Sequence, residues 1–213
     1  FIRILIYAAI AGLGAGVLGT LFTFSVNYVT QLRVNHPWLI YFLPIGGIVI
    51  VLLYKLAKYK DAGTDLVINS IHSEPHLPVR IGPLIFISSV ITHLFGGSAG
   101  REGAALQIGG SVGSFISKTL RLKEEDKKTL IMAGMSGCFS ALFGTPLTAA
   151  ILPLEVVHVG YMQYAALLPC AIASLVGHSV AIAMNLVEPM NHIGTVPNLD
   201  AITTIAVIGL SLL

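Results

Sequence analysis

The sequence predicts an all-helical, polytopic membrane protein in which some helices are broken or short. Only 10% of its 213 residues are charged, 55% are hydrophobic, and the mean hydropathy is +0.85. Soluble domains carry about 25% charged residues, and a soluble domain of this size could not hide so much apolar surface. The net charge of +2 comes without a dense basic face, so nucleic acid is not an expected partner.

Two long apolar runs open the chain. Residues 4–29 exceed the roughly 20 residues that a membrane crossing requires. Gly12, Gly16 and Gly19 lie in this run at near-helical spacing, which is typical of helices that pack closely. A polar break follows, and the second run covers residues 38–56. It ends in a basic cluster formed by Lys55, Lys58 and Lys60.

The rest of the chain predicts several shorter helices and one long one. Glycine and proline interrupt this part, and interrupted helices at membrane depth occur inside protein or around a cavity. First, we expect a short helix over 63–74, an apolar helix over 81–97 that ends at a glycine turn, and a helix from Arg101 or Glu102 to about Leu120. A charged loop over 118–128 follows, and then two short helices, one over 129–143 and one from Pro146 to near Glu155 and His158. The chain continues with a spanning helix over 161–187, a loop over 189–197 and the start of another helix at 200–213.

The two basic clusters, at 55–60 and 118–128, predict the orientation. If the runs cross in turn, both clusters face one side, which the positive-inside rule assigns to the cytoplasm. We therefore expect a multi-pass protein of the plasma membrane with cytoplasmic basic loops. The chain begins with Phe1 and ends at Leu213 within an apolar run, so we also expect it to be a piece of a longer polypeptide.

The segment from Gly96 to Gln107 carries the functional hypothesis. Four of its residues are glycine, and its charges are isolated among apolar neighbours. A glycine-rich turn followed by a helix start offers uncovered backbone N–H groups and a partial positive charge, which bind anions without a full cation. An anion held in this way can also leave, as transport requires. The expected anion-binding residues besides Glu102 are Gly100, Arg101, Gly103, Ala104 and Ala105.

Glu102 is the residue expected closest to the chemistry. Its carboxylate can occupy the anion position, and once protonated it can swing away, so it could serve as a gate and as a proton carrier. An ionisable group at membrane depth is a functional hypothesis by default. The structural alternative is that Glu102 pairs with Arg101 or caps the helix as a first-turn acid. Arg101 is expected to neutralise a carboxylate or a helix end.

These residues resemble a known family. Gly100-Arg101-Glu102-Gly103, followed by Gln107, Gly109 and Gly110, looks like the signature of the CLC chloride channels and proton-coupled transporters. The resemblance continues through Arg121-Leu122-Lys123, Phe143-Gly144-Thr145-Pro146-Leu147 and Glu155, and it covers about residues 60–160. It implies transport of chloride or fluoride coupled to proton antiport, with a passive chloride channel as the alternative. The Gly-Gly-Ser-Ala-Gly stretch before Arg101 resembles the fluoride-exporting branch.

The resemblance also implies an architecture. The family fold is a homodimer of all-helical subunits, each built from two inverted repeats. Residues 1–199 would form the first repeat and residues 200–213 the start of the second. The second repeat, with further backbone amides and an inner tyrosine of the pore, would lie beyond Leu213.

By the same resemblance, Glu102 corresponds to the external gating glutamate and Thr64 to the central serine that contacts the halide. Gly63-Thr64-Asp65-Leu66-Val67 stands where Gly-Ser-Gly-Ile-Pro is usual. The inner proton-transfer glutamate falls at Val156, one position after Glu155. One residue is about 100° of helix rotation, so a proton path through Glu155 departs from the family pattern.

Two other classes of function remain open. Gly96-Gly97-Ser98-Ala99-Gly100 also matches Gly-x-Ser-x-Gly, so an intramembrane serine hydrolase would use Ser98 with His158 or His178 as base; that motif requires a preceding strand. A structural or dimerisation module would use Gly12-x-x-x-Gly16 and the glycine- and alanine-rich stretch 133–141.

No metal or other cofactor is expected. His72 and His76 have ligand-like spacing, but Pro75 between them breaks a helix. His93 could titrate near neutral pH or form a hydrogen bond in the interior, and the second is favoured. Cys138 and Cys170, in apolar surroundings, are expected to be free buried thiols.

Overall fold

A computed structural model describes residues 2–57, 68, 78–157 and 164–186. The prediction of an all-helical fold is confirmed for this part of the chain. It consists of a short 3-10 helix, Pro37–Phe42, and seven α-helices: α1 Ile2–Asn35, α2 Leu43–Leu56, α3 Ile81–Leu94, α4 Arg101–Thr119, α5 Glu124–Phe143, α6 Pro146–Val157 and α7 Tyr164–Ala183. The helix predicted over 63–74 lies outside the described residues except for residue 68, and the one predicted over 200–213 lies wholly outside them.

Membrane-crossing length is present in three stretches of the described residues. Ile2–Asn35, Pro37–Leu56 and Tyr164–Ala183 are long and apolar enough to cross a bilayer. Ile81–Leu94 and Pro146–Val157 are apolar but shorter. The mixture of long and short apolar helices agrees with the sequence prediction.

One helix is longer than its apolar run, and one predicted boundary was wrong. The first run covers residues 4–29, but α1 continues to Asn35, because polar side chains can lie on its exposed face while Val26 and Val29 stay buried. The charged loop was expected to reach residue 128, but α5 begins at Glu124. Acidic residues in a first turn interact favourably with the helix dipole, so this charged stretch starts a helix.

The centre of the fold is α5, which packs against α1, α4, α6 and α7. Its side chains are buried around most of its circumference, including Leu130, Met132 and Met135. A helix surrounded by other helices needs no polar face. Ser136 on α5 donates a hydrogen bond to the Met132 carbonyl, which satisfies a hydroxyl that has no access to water.

Glycine contacts join α1, α5 and α7. A Cβ atom on Gly12 would lie 2.7 Å from the Ala173 Cα, and one on Gly137 would lie 2.8 Å from the Gly12 Cα. A Cβ atom on Gly16 would lie 2.8 Å from the Gly177 Cα. The Gly12-x-x-x-Gly16 pair is therefore used for packing within the chain, not for a dimer contact.

The helix ends gather at two opposite ends of the fold. One end holds the starts of α1, α5 and α7 and the end of α4, which meet around a cavity of about 660 Å³ lined by Arg3, Arg121 and Ala165 among others. We call it the Arg3 end. The other holds the ends of α1 and α3 and the start of α2, beside the connection that leads to Glu102. We call it the Glu102 end.

Candidate functional site

The connection from α3 to α4, residues 95–100, begins with a Schellman turn. Gly96 has a φ of +82°, its N–H donates to the His93 carbonyl (3.2 Å), and the Gly97 N–H donates to the Thr92 carbonyl (2.9 Å). A Cβ atom on Gly97 would lie 2.7 Å from Thr92 Cγ2. Two of the four glycines in the predicted segment are thus required to end α3.

Gly100 begins the next helix. It is the N-cap of α4, with an extended backbone (φ −67°, ψ 138°), and no side chain of the described residues caps the helix start. In an α-helix the N–H groups of the N-cap and of the first three helical residues have no partner within the helix. For α4 these belong to residues 100–103, and they lie at the positive end of a 19-residue helix.

Glu102 lies within this first turn. Its Oε2 atom is 3.1 Å from the point where a Cβ atom on Gly100 would stand, so the carboxylate bends back toward the start of its own helix. Glu102 and Gly100 are exposed, and Arg101 is half-buried. Neither Glu102 nor Arg101 forms an ion pair within the described part of the chain. Pairing with Arg101 therefore does not explain the position of the Glu102 side chain. Attraction between its carboxylate and the free amides at the start of α4 does.

The predicted anion-binding residues fall into two groups. The amides of Gly100, Arg101 and Gly103 belong to the free set at the helix start. Those of Ala104 and Ala105 come after it, where amides bond to carbonyls of the preceding turn, and their side chains are buried at 5% and 0% exposure. Thr64, predicted on the inner side of the anion, lies outside the described residues.

Glu155 lies on α6, the helix that follows α5 in the chain. Its side chain is exposed, whereas the neighbouring Val156 is partly buried and packs against the core. The one-residue offset seen in the sequence therefore turns Glu155 to a different face from Val156.

The surroundings of Ser98 do not support the hydrolase interpretation. Ser98 is exposed and follows a helix, α3, whereas the nucleophile motif requires a strand. Within the described residues its hydroxyl has no hydrogen-bond partner. His178 lies on α7, and His158 lies outside the described residues.

The other candidate residues that the structure describes form local hydrogen bonds or are buried. The imidazole Nδ1 of His93 lies 2.8 Å from the Ser89 carbonyl oxygen, so it donates a local hydrogen bond, as favoured from the sequence. Cys138 and Cys170 are free and buried, as predicted. His72 and His76 lie outside the described residues. No group of three or more His, Cys, Asp or Glu side chains within the described ranges could hold a metal ion.

Sequence reasoning missed one residue beside this connection, Arg33. A Cβ atom on Gly96 would lie 3.3 Å from both Cδ and Nη1 of Arg33, so this side chain lies against the turn that precedes the site. In the sequence it is one of several residues in a polar break. No signal in the sequence singles it out, because only the fold brings it to the Gly96 turn.

Comparison with known proteins gives the family. A family model described as voltage gated chloride channel matches residues 45–213. A chloride/fluoride channel protein of Pseudomonas syringae pv. tomato is 40% identical over 203 residues, which cover 94% of this chain and 45% of that protein. The H(+)/Cl(−) exchange transporter ClcA of Vibrio campbellii is 28% identical over 71% of this chain and 36% of its own length. The chain spans less than half the length of these two curated relatives.

Solved structures agree. The crystal structure of a CLC-type fluoride/proton antiporter matches with a TM-score of 0.88 at 30% identity, over 99% of this chain and 54% of that chain. A slow cyanobacterial Cl−/H+ antiporter matches with a TM-score of 0.75 at 22% identity, over 98% and 53%, which supports the fold alone. The chain thus has the fold of about half of a CLC antiporter chain. Together with the family model, which matches most of its residues, this shows that the chain belongs to the voltage-gated chloride channel family.

Proposed function

We propose that the protein containing this chain exchanges halide ions for protons across a membrane, with Glu102 as gate and proton carrier. The observation that carries the proposal is the position of the Glu102 carboxylate, bent toward the uncapped start of α4. Unpartnered amides and a helix dipole stabilise an anion there. The carboxylate and a halide would therefore compete for one position.

Protonation supplies the coupling. A neutral Glu102 no longer competes as an anion, so a halide can take its place while the proton travels with the side chain. No described side chain forms an ion pair with the carboxylate, so no ion pair has to break before the side chain moves. Thr64 and the amides of Gly100, Arg101 and Gly103 are proposed to bind the halide, and Ala104 and Ala105 follow them in the helix.

The substrate proposal includes fluoride as well as chloride. The relative at 40% identity is named a chloride/fluoride channel protein, and the solved relative at 30% identity is described as a fluoride/proton antiporter. Residues 1–199 are proposed as the first of two repeats and 200–213 as the start of the second. The rest of the pore and a homodimeric assembly are proposed for the whole protein. The Arg3 end, with the described basic residues of both predicted clusters, is proposed to face the cytoplasm of the plasma membrane.

A passive chloride channel is the second candidate, and one observation favours it. Val156, at the position of the family's inner proton-transfer glutamate, packs against the core, and the exposed Glu155 lies on another face. A protein without an inner proton path would move halide alone.

Flux from proteoliposomes tests the proposal. The full-length protein is reconstituted, and efflux of chloride and of fluoride is recorded together with internal pH. We expect halide efflux accompanied by proton movement in the opposite direction. Efflux with no proton movement would favour the passive channel, and no efflux of either halide from a folded preparation would contradict transport.

A further inference from the structure

Arg33 lies beside the connection to Glu102 and has no acidic partner among the described residues. It lies in the last turn of α1, with Cδ and Nη1 against Gly96 and with Ile40 of the 3-10 helix on the same turn. Its Nε atom is buried and has no hydrogen-bond partner, and the side chain forms no ion pair within the described residues. Packing against Gly96 positions the guanidinium, and no acidic side chain of the described residues neutralises it.

The distribution of charge makes this position unusual. Membrane proteins concentrate Lys and Arg on the cytoplasmic side, and this fold places most of its basic residues toward the Arg3 end. Among the described Lys and Arg residues, only Arg33 and Arg101 lie at the Glu102 end. The others are Arg3, Lys55, Arg80, Lys118, Arg121, Lys123, Lys127 and Lys128.

The connection ties Arg33 to the site. From Gly96, which Arg33 contacts, to Glu102 is six residues, a reach of at most about 20 Å. The positive charge of Arg33 attracts an anion that approaches this region, and the attraction is stronger beside low-dielectric protein than in water. Dissolved salt weakens the part of this interaction that acts through water. A guanidinium presents several N–H donors and stays charged at any working pH.

We propose that Arg33 forms a halide-recruiting site at the mouth of the path to Glu102, where it holds a small monovalent anion before that anion reaches α4. This inference rests on the proposed function and adds a binding residue to it. A transient site of this kind raises the local halide concentration and the association rate. It leaves the maximal exchange rate, which depends on Glu102, unchanged.

The competing explanation is structural: Arg33 only fills space against the Gly96 turn. The two differ in whether charge or shape matters. Arg33→Gln keeps a polar side chain but removes the charge, and Arg33→Lys keeps the charge on a different shape. Arg80→Gln removes a cation from the start of α3, toward the Arg3 end, and serves as the matched control.

The experiment measures initial halide flux against external halide concentration in proteoliposomes of the full-length protein, at low and at high concentrations of sodium gluconate. At low ionic strength, Arg33→Gln should raise the half-saturating halide concentration about two- to tenfold with little change in maximal flux. High salt should shrink the difference. Arg33→Lys should stay within about twofold of wild type, and Arg80→Gln should not change the response to external halide.

Charge rescue guards against misfolding. Arg33→Cys is modified with a cationic or an anionic thiol reagent, since Cys138 and Cys170 are buried and react poorly. The cationic adduct should restore the low half-saturating concentration and the anionic one should raise it further. Equal effects of both reagents, or an unchanged half-saturation in Arg33→Gln while wild type transports, would overturn the Arg33 inference alone. Absence of flux in wild type would overturn it together with the proposed function.

Discussion

The carboxylate of Glu102 bends back toward Gly100, with Oε2 3.1 Å from the position of a Cβ atom on that glycine. Gly100 has backbone angles that alanine also adopts, so Gly100→Ala should fold. Its methyl group would crowd Oε2, so the carboxylate would have to shift by a few tenths of an ångström at the start of α4. We expect halide turnover to change about two- to tenfold, equivalent to about 0.4 to 1.4 kcal/mol in a barrier. Flux measured on Gly100→Ala checks this, and wild-type flux together with wild-type pH dependence would show that the contact is irrelevant.

The crossing of α4 and α5 predicts where the fold tolerates no side chain. A Cβ atom on Gly109 would overlap the Gly134 carbonyl and lie 2.7 Å from the Cys138 Cβ. Gly109→Ala should therefore lower the free energy of unfolding by about 1–3 kcal/mol or prevent folding. Gly47→Ala is the matched control, since a Cβ atom there meets nothing within 4 Å and alanine favours a helix. Thermal unfolding in detergent, followed by size-exclusion chromatography, compares the two. Equal stability of both variants would contradict the packing described.

Arg121 follows the end of α4 in a left-handed conformation, with a φ of 49°, as the C′ residue of a Schellman motif. A residue with a Cβ atom costs roughly 1–2 kcal/mol in the left-handed region, and glycine avoids this cost. Glycine also loses more conformational entropy on folding, which offsets part of the benefit. Arg121→Gly should therefore raise the free energy of unfolding by about 0.5–1 kcal/mol. Arg121→Ala keeps the Cβ atom and should give no such gain. The melting temperatures of the two variants in detergent test this prediction. An equal shift in both would show that removal of the positive charge, and not the left-handed backbone, changes the stability.

Much of the fold could be predicted from the sequence because glycine, proline and charge mark helix ends locally. The start of α4 was predicted at Arg101 or Glu102 and lies at Arg101, and the end of α3 was predicted at the Gly96-Gly97 turn, just after its last residue, Leu94. The start of α5 was not, because Glu124, Glu125 and Asp126 resemble a loop until their place in a helix dipole is considered. The partners of Gly12 and Gly137 could not be predicted, since a close-packing motif does not specify which helix it meets.

Part of the candidate site's geometry was also predictable. An isolated carboxylate at a glycine-rich helix start made Glu102 the candidate residue, and the structure places it in the first turn of α4. The division of the glycines was not visible: Gly96 and Gly97 end α3, and Gly100 begins α4. Arg33 was missed because it is more than 60 residues from Glu102 in the sequence, and only folding brings its side chain to the Gly96 turn.

The proposed orientation predicts which side of the membrane each end faces. Ser98 and Lys123 are exposed near opposite ends of α4, and Cys138 and Cys170, the two cysteines of this chain, are buried. In intact cells, Ser98→Cys in the full-length protein should react with a membrane-impermeant maleimide. Lys123→Cys should react only after the membrane is made permeable. The reverse pattern would place the Arg3 end outside.

The most direct test of the central claim is the proton movement that accompanies halide efflux in Glu102→Gln. Glutamine keeps the size of the side chain but has neither the negative charge nor a titratable proton. Glu125→Gln, an exposed first-turn acid of α5 at the Arg3 end, is the control. We predict that proteoliposomes with Glu102→Gln lose halide-driven proton movement, while those with Glu125→Gln retain it. Proton movement in Glu102→Gln at the wild-type ratio to halide would contradict the account.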